Sequence, residues 1–240
     1  MIESILLTAA RLTTFAQSTL LTSASGFYFE RDERLFLVTS RHVVSETGHN
    51  PDRLEIEIHT NAENMAESTG FSIPLYQNGK SIWRQAQDGT GDVDVAVIEL
   101  DRSALPASMV YRAFKPEHLE YSEEQAEVGN SLLVVGFPLG FHDTLHHLPV
   151  VRQATIASSF GLRFQGQGYF LSDARTHRGI SGAPVVMRTQ ESAALGGLPY
   201  ILLGIHSARL DVGTRDLHAD EALGLNCSWY ADILMTLTEN

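Results

Sequence analysis

Three residues of this 240-residue chain have types and surroundings suited to nucleophilic catalysis: His42 in "FLVTSRHVV", Asp94 in "DVDVAVIEL" and Ser181 in "THRGISGAP". A serine hydroxyl is a weak nucleophile until an imidazole accepts its proton, and that imidazole needs a carboxylate to fix its tautomer. His42 stands where one apolar run ends and Asp94 where another begins, positions from which polar side chains reach a cleft. Taken singly, each has a plainer reading as a loop histidine, a turn or capping aspartate, and a serine in a tight Gly-x-Ser-Gly turn. Their occurrence together, in this order on a β-rich chain, points to acyl transfer.

The elements that must position them read as short strands. "GFYFE" and "RLFLVTS" flank the charged turn "RDER", "LEIEI" alternates strictly, and "FSIPLYQNGKSIWR" sets Asn78-Gly79 between apolar flanks, a strong hairpin signal. "VDVAVIEL" adds another strand. From Asp101 to Glu127 the composition turns polar and acidic, with Pro106 and Pro116 as breakers, and reads as a connector between two halves. Beyond it come "NSLLVVGFP", "PVVRQATIASSFG", "YFLSDA", "GAPVVMR", "YILLGIHSARL" and "LGLNCSW". "SWYADILMTL" then carries apolar residues at helical spacing. The regular βαβ alternation of a parallel sheet is absent, so the pattern predicts an all-β chain of two barrels or sandwiches.

With 43% hydrophobic residues the chain can bury a sizeable core. Its net charge of −12, from 29 acidic against 17 basic residues, opposes nucleic acid and anionic membrane surfaces as partners. Cys227 is the single cysteine, which excludes an intramolecular disulfide and fits a reducing compartment. Glu3 and Arg11 interrupt the opening "MIESILLTAARLTTFAQ", which reads as part of the fold rather than an export signal. No run approaches the ~18–20 apolar residues needed to span a bilayer, so a soluble, cytoplasmic protein is expected.

"TSRHVV", "DVAVIEL" and "RGISGAP" resemble the histidine, aspartate and nucleophile motifs of trypsin-like (chymotrypsin-fold) serine proteases. The similarity is greatest to the disulfide-free bacterial branch that includes the HtrA/Deg and glutamyl-endopeptidase-like enzymes. "SASGFYF", "VVGFPLG" and "LLGIHSARL" extend it over nearly the whole chain. The resemblance implies two six-stranded antiparallel β-barrels with a C-terminal helix. Residues 1–115 would carry His42 and Asp94, and residues 116–240 would carry Ser181, together forming one protease domain. It implies a serine endopeptidase acting on protein or peptide without cofactor or metal. His42 would be general base and then acid, Asp94 its orienting carboxylate, and Ser181 the nucleophile. The backbone N–H groups of Gly179 and Ser181 would form the oxyanion hole. Ser207 falls where the family has a serine hydrogen-bonded to the catalytic aspartate.

Arg175, six positions before the nucleophile, falls at the base of the specificity pocket, and His206 beside Ser207 falls on its wall. Arg175 and His206 together would favour an acidic side chain. The other reading turns Arg175 to solvent or pairs it with Asp173, leaving a small apolar pocket. Three departures from the family pattern, Arg178, Ile180 and Ala183, remove no catalytic group. An α/β-hydrolase elbow is disfavoured because Ala183 occupies its last glycine position. His142, His146 and His147 in "FHDTLHHL" read as surface histidines rather than a metal site. The rival function is a protease-fold module that grips an extended peptide without cutting it. A regulatory partner, or further domains of a longer chain, would fit either reading.

Overall fold

The computed structural model describes residues 2–45, 50–121, 126–190, 196–210 and 223–239. The first half supplies β1 (Ala9–Ala16), β2 (Thr19–Arg31), β3 (Arg34–Thr39), β4 (Arg53–His59), β5 (Ser68–Pro74), the short β6 (Trp83–Arg84) and β7 (Ala96–Leu100). They form a seven-stranded sheet in the order β5-β4-β1-β2-β3-β7-β6. The second half supplies β8 (Ser131–Gly136), β9 (Val150–Ile156), β10 (Tyr169–Asp173), β11 (Pro184–Arg188), β12 (Tyr200–Arg209) and β13 (Leu225–Tyr230). These close into a six-stranded barrel in the order β8-β9-β10-β13-β12-β11.

The all-β fold and the six-stranded second barrel are as expected. The first half has seven strands instead of six, and among the described residues its edge strands β5 and β6 do not pair with each other. Residues 75–92 form two separate two-stranded ribbons, one before and one after the two-residue β6, rather than one long strand that could close the ring. One ribbon is the expected hairpin, with Asn78 and Gly79 both at positive φ (52° and 75°) as a two-residue turn of the favoured hand requires. The opening segment is an interior strand, since β1 pairs with both β2 and β4.

Side-chain alternation explains how the sheet is covered. In β4, Leu54, Ile56 and Ile58 point inward while Glu55 and Glu57 lie on the other face. In β3 five consecutive residues are buried, because its two faces meet two different cores. Leu35 and Leu37 join Leu12, Ile56 and Ile98 in the core of the first half. Phe36 and Val38 face a second core, shared with Val135, Val186, Leu202, Ile205 and Trp229 of the barrel. A third cluster, including Leu132, Phe170 and Val185, fills the barrel itself.

The acidic connector is docked rather than loose. Phe114 is fully buried in the shared core, edge-on to Phe27 at 5.7 Å, and its backbone bonds to Tyr28 and Glu30 (2.9 and 2.8 Å). Residues 122–125 of the connector lie outside the described residues.

The C-terminal helix is shorter than the apolar spacing predicts. Ser228–Tyr230 belong to β13, and only Ile233–Leu237 (α2) are helical. Leu234 and Leu237 enter the shared core. Arginines of the first half reach over the end of α2: Arg31 donates to the Met235 carbonyl (2.6 Å), Arg34 to Thr238 (2.6 Å) and Arg84 to Glu239 (2.5 Å). Cations on the unpaired carbonyls of a helix terminus are favourable. Among the described residues no helix is long and apolar enough to cross a membrane.

A core that spans both halves should make them unfold together. Leu234→Ala is expected to cost about 2–5 kcal/mol and to leave a single transition in urea, followed by tryptophan fluorescence and far-UV circular dichroism. Separate transitions for the two probes would show that the shared core does not couple the halves.

Candidate active site

His42 lies in the single turn Arg41–Val44 (α1) that follows β3. The hydroxyl of Ser40 would ordinarily cap such a turn. Here it makes no cap and instead donates to the His206 carbonyl across the seam (3.1 Å), so the turn is fixed against the barrel. Asp94 precedes β7 between Val93 and Val95, both buried in the shared core. Those two anchors hold the intervening carboxylate at the seam.

The Asp94 carboxylate grips His42 twice. Oδ1 accepts the backbone N–H of His42 (2.8 Å) and Oδ2 lies 2.7 Å from ring Nδ1. The Ser207 hydroxyl also donates to Oδ2. A carboxylate facing Nδ1 places the ring proton there and leaves Nε2 as the basic nitrogen. The His42 side chain is 44% exposed against 19% for Asp94, so the ring stays reachable from solvent while its carboxylate is shielded. Burial alone would raise the Asp94 pKa. The hydrogen bond and charge of His42, with the Ser207 bond, outweigh burial and hold the carboxyl below its ordinary value.

Ser207 can serve both sides because of an irregularity in the ladder. Between β12 and β13, His206 pairs with Ser228 and Ala208 with Cys227, so Ser207 is an extra, bulged residue. Its side chain reaches Asp94, and its freed carbonyl accepts the Ser181 hydroxyl (3.0 Å). The Ser181 hydroxyl is therefore turned toward Ser207 in this resting arrangement. Its proton must leave that carbonyl before it can pass to His42, the kind of tightening that substrate binding brings about.

The turn carrying Ser181 is built on two left-handed glycines, Gly179 (φ 89°) and Gly182 (φ 85°). A Cβ on Gly182 would stand 2.3 Å from the Ser25 carbonyl, so only glycine lets the turn approach β2. Leu139 donates to the Arg178 carbonyl (2.5 Å), which turns the planar Arg178–Gly179 peptide so that the Gly179 N–H faces the opposite way. Among the described residues the N–H groups of Gly179 and Ser181 have no protein acceptor. Two unsatisfied donors on one turn are what a developing oxyanion requires. Of the departures from the family pattern, Ile180 and Ala183 are buried in the barrel core while Arg178 is exposed.

The expected pocket residues sit in contrasting environments. Arg175 and Asp173 are both exposed. His206 is buried beneath the seam with Nε2 3.4 Å from Asn226 Oδ1. The Asn226 amide donates to Ala174 and Gly224 (2.8 Å each), so its oxygen is the acceptor and His206 carries its proton on Nε2. The Thr176 hydroxyl donates to the same oxygen. His206 Nδ1 is buried without a hydrogen-bond partner, and burial pushes the ring's pKa down to about 4. His206 is therefore neutral near pH 7.

The histidines of "FHDTLHHL" are half-buried rather than freely exposed. His142 stacks on His147 at 6.2 Å, His146 contacts Asp143 at 2.7 Å, and His59 of β4 reaches the His146 carbonyl at 2.7 Å. The loop histidines make their contacts within the 137–149 loop, and His59 ties that loop to the first half. Sequence reasoning missed Ser25, Ser40 and Leu139, whose roles are hydrogen bonds to backbone atoms of remote segments. The only available signal was "SASGF" ahead of the histidine strand.

A double-lobed β architecture with His42, Asp94 and Ser181 at the seam defines the class of trypsin-fold hydrolases. The model of the trypsin-like peptidase domain matches residues 24–195, and the chain belongs to that family of serine endopeptidases. No curated protein sequence matches the chain. In fold it is similar to the active form of the Rv3671c protease from M. tuberculosis, at 16% identity and a TM-score of 0.53 over 97% of this chain and 80% of that one. It is also similar to the serine endoprotease from Yersinia pestis, at 14% identity and a TM-score of 0.56, where the alignment covers 96% of this chain and 61% of that one.

The buried neutral His206 has a measurable consequence. Its pKa is about 4 in the fold against 6.5 for the free side chain, so between those values the unfolded chain binds the extra proton. Its stabilising contribution is complete above pH 6.5 and is lost as the pH falls toward 4. Asp94, with a lowered pKa, acts in a separate window, its contribution being lost only below the ordinary carboxyl value of 3.8. Urea unfolding across pH 7 to 4 should show falling stability, and His206→Gln should flatten that slope whatever its baseline. An unchanged slope would mean that His206 does not titrate in this range.

Proposed function

We propose that the chain hydrolyses peptide bonds through a Ser181-His42-Asp94 triad and an acyl-enzyme intermediate. The observation that carries this reading is the Asp94 carboxylate bonded to both the backbone N–H and ring Nδ1 of His42, with Ser207 linking Asp94 to Ser181. With substrate bound, the Ser181 hydroxyl turns to His42 Nε2 and attacks the scissile carbonyl as its proton passes to the imidazole. Asp94 stabilises the imidazolium, and the Gly179 and Ser181 N–H groups receive the oxyanion. His42 then protonates the leaving amine. Water, deprotonated by the same ring, releases the acyl group and restores Ser181.

A fluorophosphonate probe should label wild-type protein at Ser181 and leave Ser181→Ala unlabelled. Asp94→Asn should keep the fold while kcat falls about 10⁴-fold, because an amide facing Nδ1 favours the wrong imidazole tautomer. Labelling that survives Ser181→Ala would place the nucleophile elsewhere.

A preference for acidic side chains belongs to the same proposal, with Arg175 as its source of charge. Arg175 is exposed six residues before Ser181, whereas neutral His206 supplies shape and a hydrogen-bonding edge rather than charge. Peptide-library cleavage should favour Glu or Asp before the cut, and Arg175→Gln should erase that preference. Cuts confined to Val, Ala or Leu would overturn it.

The rival reading, a peptide-gripping module that does not cut, is favoured by one observation: the Ser181 hydroxyl rests on Ser207. Stable binding of a peptide that is never cleaved at high protein concentration would establish it. We place the protein in a reducing, cytoplasmic setting, where the lone half-buried Cys227, its thiol pKa raised by burial, stays reduced. The macromolecule recognised is a protein or peptide substrate.

A further inference from the structure

We infer that Ser25 is the positioning residue that holds the oxyanion hole open, an inference that rests on the roles proposed above for Gly179 and Ser181. Ser25 belongs to β2 in the first half, yet its hydroxyl and its backbone N–H are both engaged with the second, at or beside the nucleophile turn. It is fully buried. A hydroxyl has one proton and two lone pairs, and both kinds of bond are assigned here by their partners. The proton goes to the Gly179 carbonyl (2.8 Å), which can only accept. A lone pair takes the Phe137 amide (3.0 Å), which can only donate. The Ser25 backbone N–H donates to the Ser181 carbonyl (3.0 Å), and its own carbonyl accepts the Thr39 hydroxyl (2.8 Å).

These bonds connect the two pieces whose relative position decides where the Gly179 N–H points. One piece is the turn itself, held by Ser25 at the carbonyls of Gly179 and Ser181. The other is the 137–141 segment, whose Leu139 N–H holds the Arg178 carbonyl. That segment is a tight double turn, closed by Gly140 N–H to the Phe137 carbonyl (2.9 Å) and Phe141 N–H to the Pro138 carbonyl (2.8 Å). Its first amide, Phe137, is fixed by the same Ser25 hydroxyl. Leu139 itself is held at φ 55°, a conformation an L residue adopts only when its surroundings require it. One side chain thus ties the peptide holding the turn to the turn being held.

The packing leaves no substitute for the hydroxyl. A Cβ on Gly136 would stand 2.5 Å from Ser25 Oγ, and one on Gly182 would stand 2.3 Å from the Ser25 carbonyl, so backbone closes on Ser25 from both sides. An alanine methyl offers neither a donor nor an acceptor to the two groups that the hydroxyl bridges. Without the hydroxyl, the Gly179 carbonyl and Phe137 amide lose their partner in a buried site. Gly179, at φ 89° and lacking a side chain, is the residue free to turn in response. That turn would carry its N–H out of line.

The test compares wild type, Ser25→Ala and the near-isosteric Ser25→Cys, each checked by thermal midpoint and circular dichroism. In the folded variants kcat should fall about 10–100-fold with KM changed less than about twofold, because an oxyanion donor acts mainly in the transition state. A peptide aldehyde, whose tetrahedral adduct occupies the hole, should bind more weakly by a like factor. An uncleaved peptide should bind Ser181→Ala and Ser25→Ala/Ser181→Ala equally, which a merely destabilised fold would not produce. Wild-type kcat in either folded variant overturns the assignment to Ser25. Failure of wild type to cleave or to be labelled at Ser181 would instead overturn the protease reading, so the two failures are separable.

Discussion

A carboxylate placed in the seam between two lobes must find enough donors to stay ionised, and the Asp94 carboxylate finds them on both lobes. The first lobe contributes the backbone and ring N–H groups of His42, and the second contributes the Ser207 hydroxyl. Desolvation opposes the charge and these donors overcome it, so loss of any one leaves a partly buried anion short of partners. The lobes are therefore free to adopt only relative positions in which His42 and Ser207 both reach Asp94. Ser207 carries the constraint onward, because its carbonyl holds the Ser181 hydroxyl.

The shared apolar core brings the lobes together, and backbone contact then fixes them. Phe36 and Val38 of β3 meet Val186 and Ile205 of the barrel without specifying register to a fraction of an ångström. Directional bonds supply that register. Ser40 reaches the His206 carbonyl, Gly182 N–H reaches the same carbonyl from the other side (2.7 Å), and Ser25 N–H reaches Ser181. Gly182 is glycine because the turn carrying Ser181 passes too close to β2 and the end of β3 of the other lobe for a side chain. The bulge at Ser207 is a comparable device, in which one extra residue in a ladder frees a carbonyl and aims a hydroxyl.

Local pattern was read correctly where the cause is local. The Asn78-Gly79 hairpin follows from turn sterics, and the β4 alternation follows from a sheet with one face on a core. The continuous burial of β3 is also visible as an unbroken apolar run, although only the fold explains it by giving the strand two cores. The C-terminal helix came out short because residues 228–230 satisfy both an apolar helical spacing and a strand, and pairing with β10 and β12 chose the strand. The first lobe's seventh strand and open edges depend on how residues 75–92 divide into ribbons, which no spacing rule fixes. Arg175 and His206, adjacent to the same pocket on a motif alignment, part company in burial: one is solvent-exposed, the other neutral beneath the seam.

The chain's own letters determined an all-β fold and singled out His42, Asp94 and Ser181, because strand periodicity and the small residues of a tight turn are properties of neighbouring positions. Only the tertiary structure decided which remote atoms complete the site. Ser25, Ser40 and Leu139 act through bonds to carbonyls more than thirty residues away in sequence, such as Ser25 to Gly179 across 154 positions and Ser40 to His206 across 166. A serine in a strand has no local signature for such a partner. Its hydroxyl acquires a role when packing closes around it and water can no longer satisfy the atoms it bridges.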